Sequence, residues 1–96
     1  MSVMEIRGGF PRVSRFDSTV TGGMRTTGQI TKQLIIRVTT FPVRLYFNEA
    51  DFDANADYIT VTPISEFNAP VEVVNVWLRG VGGTAAVEML AILRRN

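Results

Sequence analysis

Residues 31–47 read TKQLIIRVTTFPVRLYF, and their apolar positions recur at every second residue. In Thr31–Thr40, Leu34, Ile36 and Val38 fall on one side, while Gln33, Ile35, Arg37 and Thr39 fall on the other. That alternation is the mark of a half-buried β-strand. Pro42 follows, and proline has no N–H to give a sheet ladder, so a turn or a strand edge belongs there. Beyond it Val43, Leu45 and Phe47 alternate with Arg44, Tyr46 and Asn48, which makes a second strand.

The same period continues toward the C-terminus. Asn48–Asp57 (NEADFDANAD) is a polar connection with room for one helical turn, and Tyr58–Thr62 (YITVT) is a short β-branched strand closed by Pro63. After an irregular stretch, Val71–Arg79 (VEVVNVWLR) sets Val74, Val76 and Leu78 against Val73, Asn75 and Trp77. Gly80-Val81-Gly82-Gly83 is a turn. Thr84–Arg95 alternates Val87, Met89, Ala91 and Leu93 against Glu88, Leu90, Ile92 and Arg94. Its Ala, Glu, Met and Leu also suit a helix with Thr84 as cap. A strand is preferred, hairpinned to Val71–Arg79 through the short glycine linker.

Toward the N-terminus the period is lost. Residues 1–30 are rich in Gly, Ser, Thr and Arg, and are punctuated by Gly8-Gly9, Pro11, Gly22-Gly23 and Gly28. A structureless stretch of about 30 residues does not belong inside a compact small domain. The expectation is therefore an all-β chain: a small antiparallel β-sandwich or barrel over 31–96, with an extended N-terminal arm over 1–30. The arm would order by lying on another surface, with Ile6, Phe10, Val13 and Phe16 as anchors.

Composition narrows the chemistry. Among 96 residues there is no cysteine and no histidine, which removes disulfides, thiolate nucleophiles, Ser-His catalysis and the usual zinc sites. Lys32 is the single lysine, and the serines stand in loops with no base beside them, so the chain is not read as an enzyme and no cofactor is expected. MSVMEIRGGF contains no apolar core of a secretory signal, and no stretch approaches the roughly 20 apolar residues of a membrane span. A soluble, unprocessed chain is expected. So small a domain has a marginal core, which favours an oligomer or a larger host surface.

The net charge of +1 conceals a strong polarity. Met1–Arg44 carries seven basic residues against Glu5 and Asp17, net +5; Leu45–Leu78 is −6; Arg79–Asn96 is +2. Such a chain can associate head to tail, or folding can mix the charges into an ordinary surface.

Three stretches are candidate sites. Asp51-x-Asp53-x-Asn55-x-Asp57 has the alternating oxygen ligands of a calcium loop, but Ala56 stands where the turn needs glycine and Thr62 where the last ligand should be Glu. A solvated loop is the better reading. Arg7, Phe10, Arg12, Arg15 and Phe16 could meet phosphates and bases, yet one RGG in a near-neutral chain points away from nucleic acid and toward packing on a protein. Trp77 lies opposite Val74, Val76 and Leu78, so both faces of its strand are apolar, and a neighbouring subunit or the chain itself must cover one of them.

VRLYFNEADFDANADYITV, VEVVNVWLRG and GGTAAVEMLAILRR, in that order, resemble segments of small virion proteins of tailed bacteriophages, over roughly Phe41 to Arg95. The resemblance implies a structural component of the virion, assembled in the host cytoplasm. Most directly it implies a head decoration (cement) protein that binds the major capsid protein as a homo-oligomer, often a trimer. A neck, tail or head-fibre component has the same small-β style. Outside the virion, the alternative is a small nucleic-acid or carbohydrate binding module.

Overall fold

The computed structural model describes residues 9–94. It contains eight strands and one short helix: β1 (Gly9–Ser18), β2 (Gly23–Thr26), β3 (Thr31–Thr39), β4 (Val43–Tyr46), α1 (Glu49–Ala54), β5 (Ile59–Val61), β6 (Phe67–Ala69), β7 (Asn75–Gly80) and β8 (Ala85–Arg94). Two four-stranded sheets face each other, ordered β1-β8-β3-β6 and β2-β7-β4-β5. The all-β sandwich expected from the period of two is what the chain forms.

One rule generates the topology. β1 pairs with β8, β2 with β7, β3 with β6 and β4 with β5, all antiparallel. The first four strands run out and the last four run back along them. This ribbon then rolls up, so that β8 also meets β3 and β7 also meets β4. The result is the eight-stranded jelly roll.

The core lies between the sheets. Leu34, Ile36 and Val38 of β3 meet Val87, Met89, Ala91 and Leu93 of β8, and across the gap stand Val43, Leu45, Val61, Val76 and Leu78. Each is an every-second-residue position, as a pleated strand requires.

Three expectations are corrected. The segment set apart as an arm is extended, but it is not separate from the domain. Gly9–Ser18 pairs with β8 along all ten residues, and Gly23–Thr26 pairs with β7. Residues 9–30 therefore belong to the two sheets, and a deletion of 1–30 would remove an edge strand from each. Second, β8 is a strand but not the hairpin partner of β7: the two lie in different sheets, and Gly80–Ala85 crosses from one sheet to the other. Third, Val71–Val74 is not ladder. It is tied to the β2–β3 connection instead, where the Thr27 hydroxyl donates to the Val74 carbonyl at 2.9 Å and the Thr31 N–H to Val73 at 3.0 Å. Both threonines are buried and hydrogen-bonded, so they hold two connections together without leaving polar groups unsatisfied.

Candidate docking surface

The rolled topology sorts the connections onto two ends. Residues 19–22, 40–42, 62–66 and 81–84 gather at one end, where Gly80 N–H donates to Thr19 at 2.8 Å and Val81 N–H to Pro42 at 2.9 Å. Residues 27–30, 47–58 and 70–74 gather at the other, where Arg94 N–H meets the Ile30 carbonyl at 2.8 Å.

The first end carries almost no charge. Its turns read TVTG, TFP, TPISE and VGGT, and Glu66 is tied back to Arg37 at 2.8 Å. That hydrogen bond, followed by the charge of Glu66, raises the Arg37 pKa above its usual value. Both effects concern strongly alkaline solution only. Apolar side chains project from this end: Ile64 is 97% exposed and Val20 is 56% exposed. Ile64 is held out by a tight turn in which Ser65 N–H donates to Thr62 O at 3.1 Å and the two hydroxyls lie 2.8 Å apart.

This end also stores strain. Thr40 has φ +77°, the left-handed region that a β-branched residue rarely enters, and Phe41 N–H donates to Thr39 O at 2.9 Å across it. That is a γ-turn of the strained hand. It aims the Phe41 ring onto Gly83, where any Cβ would meet the ring at 2.5 Å. Beside it, the Ser18 hydroxyl is buried without a hydrogen-bond partner among the described residues. Backbone strain persists only where surrounding structure enforces it, and it concentrates at functional surfaces.

The opposite end is built from acid and aromatic rings. Asn48 caps α1 by accepting from Asp51 N–H at 2.8 Å, and Asn55 closes the helix in a left-handed conformation at φ +53°. The helix packs Phe52 edge-on against buried Tyr46, with centroids 5.3 Å apart. Arg79 stacks on Phe52 at 4.3 Å and Arg44 on Tyr58 at 4.6 Å, while the Tyr46 hydroxyl donates to Asn55. The acidic stretch is thus half helix and half cap. Among the described residues no group of three acidic, histidine or cysteine side chains could hold a metal ion.

The residues singled out from sequence are mostly engaged inside the chain. Arg7 lies outside the described residues. Arg12 donates to the Thr27 carbonyl at 3.0 Å and Arg15 pairs with Glu88 at 3.0 Å. Phe16 packs against the core beneath the Arg25 guanidinium, 4.1 Å from its ring centroid. Together Arg12 and Arg25 close the open side of the sandwich between β1 and β2. Phe10 faces Leu93 across the ladder and stays 40% exposed. Trp77 is half-buried on the outer face of the second sheet, between Met24 and Tyr46 in register. Part of that apolar face is covered from within, by α1. The sequence reading missed Ile64, Val20 and Thr40. The signal that would have found them is the near-absence of charge from four separate turns, which carry Glu66 alone.

Comparison with known protein families, curated proteins and solved structures found no match to this chain. Among the described residues no helix is long and apolar enough to cross a membrane.

Proposed function

We propose that this chain is a structural subunit of a virion, a head decoration or cement protein that seats its uncharged end on the major capsid protein. The observation that carries the reading is the pairing of that end's exposed apolar groups, Ile64 above all, with a rigid and strained scaffold. A soluble surface normally spreads its apolar side chains singly among charges. Here Ile64 stands almost wholly exposed on one turn and Val20 projects from another, at an end whose four turns carry Glu66 as their one charge, while acid collects at the far end. Fold alone would not decide, because jelly rolls serve many functions. The neck, tail and head-fibre alternatives use the same surface against a different protein.

Nucleic acid and carbohydrate are weaker readings. Every arginine among the described residues has a partner within the chain: a carboxylate for Arg15, Arg37 and Arg94, and a carbonyl, an amide or a ring for the others. Phosphate would have to displace those partners. The test is uptake: heads assembled without the chain are mixed with purified protein, pelleted and assayed for bound chain and for thermal release of DNA. Saturable binding at a fixed ratio to the major capsid protein, with a raised release temperature, is expected. Heads that pellet without the chain would refute a decoration role.

A further inference from the structure

The two sheets are finished differently on their outer faces. On the second sheet, α1 lays Phe52 over Tyr46. On the first sheet no helix packs among the described residues, and register defines what faces outward. One row crosses all four strands as Arg15 on β1, Glu88 on β8, Arg37 on β3 and Glu66 at the start of β6. The signs alternate: plus, minus, plus, minus. Two residues along, the next row is Val13, Leu90, Ile35 and Asn68. Val13 is 54% exposed, and Leu90 and Ile35 are half-buried.

We propose that this face is a two-fold interface with a second copy of the chain. The alternating row is self-complementary. Consider a two-fold axis between facing sheets, parallel to the strands and midway between β8 and β3. It lays β1 over β6 of the second copy, and β8 over β3. Arg15 then faces Glu66 of the second copy, Glu88 faces Arg37, and Leu90 faces Ile35. A row ordered plus, minus, minus, plus would set every charge against its like under the same axis. Isologous contacts require this kind of self-match.

The dimensions fit a weak pair. Three strands at about 4.8 Å spacing and about 3.3 Å per residue over the nine residues of β3, with the three residues of β6 beside them, make a face of about 500 Å². Two such faces bury about 1,000 Å², the size of a weak, reversible contact. The axis also keeps strand direction, so the uncharged ends of both copies point the same way. On the proposed virion surface a pair would thus dock through two ends at once, and avidity would offset weak single contacts. The dimer itself does not depend on the virion reading, whose failure in the uptake assay would leave it standing.

Sedimentation velocity on the full chain tests the interface. Wild type should pass from monomer toward dimer as concentration rises into the high micromolar range. Leu90→Lys and Ile35→Glu should each remain monomeric, with unfolding midpoints and circular dichroism spectra that show the fold intact. An equimolar mixture of the two should dimerise again, because the lysine of one copy meets the glutamate of the other while the remaining Leu–Ile contact is unchanged. Met24→Lys, on the opposite sheet, should dimerise like wild type. A wild type that stays monomeric, single variants that dimerise normally, or a mixture that stays monomeric would each overturn the proposal.

Discussion

The two ends of this jelly roll are built from the same kind of connection and finished in opposite ways. At the far end, polar groups find partners: Thr27 and Thr31 are satisfied, Asn48 and Asn55 cap α1, and arginines stack on Phe52 and Tyr58. At the near end, Thr40 is strained, Ser18 has no hydrogen-bond partner among the described residues and Ile64 projects into water. The far end is organised for stability within the chain. The near end leaves backbone strain and an apolar side chain at the surface, and it is there that the proposed contact is placed. That contrast, more than any single residue, separates scaffold from surface.

The contrast can be broken most forcefully at the far end. Tyr46 is completely buried at the centre of the ring cluster. Tyr46→Ala should cost about 3–5 kcal/mol in denaturant unfolding, the range for large aromatic truncations. A loss under about 1 kcal/mol would mean that α1 and its rings are ornamental. At the near end, Gly80 has no room for a side chain, since a Cβ would lie 2.4 Å from the Gly83 carbonyl oxygen and 2.6 Å from that of Ser18. Both neighbours are backbone, so Gly80→Ala should cost about 1–3 kcal/mol, as overpacking does.

Thr40 sharpens the comparison with a change of opposite sign. Relieving a left-handed β-branched residue returns about 1–3 kcal/mol, and glycine's extra chain entropy takes back about 0.5–1. Thr40→Gly should therefore raise the unfolding midpoint by a small but measurable amount. A lowered midpoint would show that the turn is relaxed and the near end stores nothing.

How much of this could be read from the sequence differs strand by strand. β3, β4, β7 and β8 are central strands whose inward positions are filled by Leu, Ile, Val, Met and Ala, so their period is plain. β1 and β6 are edges. The inward positions of β1 include Arg12, Ser14 and Ser18, because the side chains there close a seam and do not fill a core. β2 places Arg25 in the same role. Polar inward residues erase the alternation, which is why residues 9–30 looked like an arm. The crossing of β8 away from β7 was equally hidden, since a short glycine turn serves a hairpin and a sheet-to-sheet crossing alike.

Charge misled in a related way. Folding mixes the segments across strands distant in sequence: Arg37–Glu66 joins the basic first part to the acidic middle, while Arg15–Glu88 and Arg94–Glu72 tie each of them to the last strand. These pairs are exposed and screened by solvent, so they contribute little to stability. What survives is an acidic patch on and after α1 and an uncharged end opposite. The docking surface could not be assembled by reading along the chain, because its four turns lie up to about 60 residues apart and meet only once the ribbon rolls.

The central claim is that the uncharged end carries the contact and the acidic end does not. Ile64 is almost wholly exposed, so Ile64→Asp should leave stability within about 0.5 kcal/mol of wild type. The decisive measurement is uptake of Ile64→Asp onto heads lacking the chain, beside wild type and the far-end variant Asp53→Asn. The account predicts binding at least tenfold weaker for Ile64→Asp and unchanged for Asp53→Asn. Wild-type uptake of a folded Ile64→Asp would contradict it.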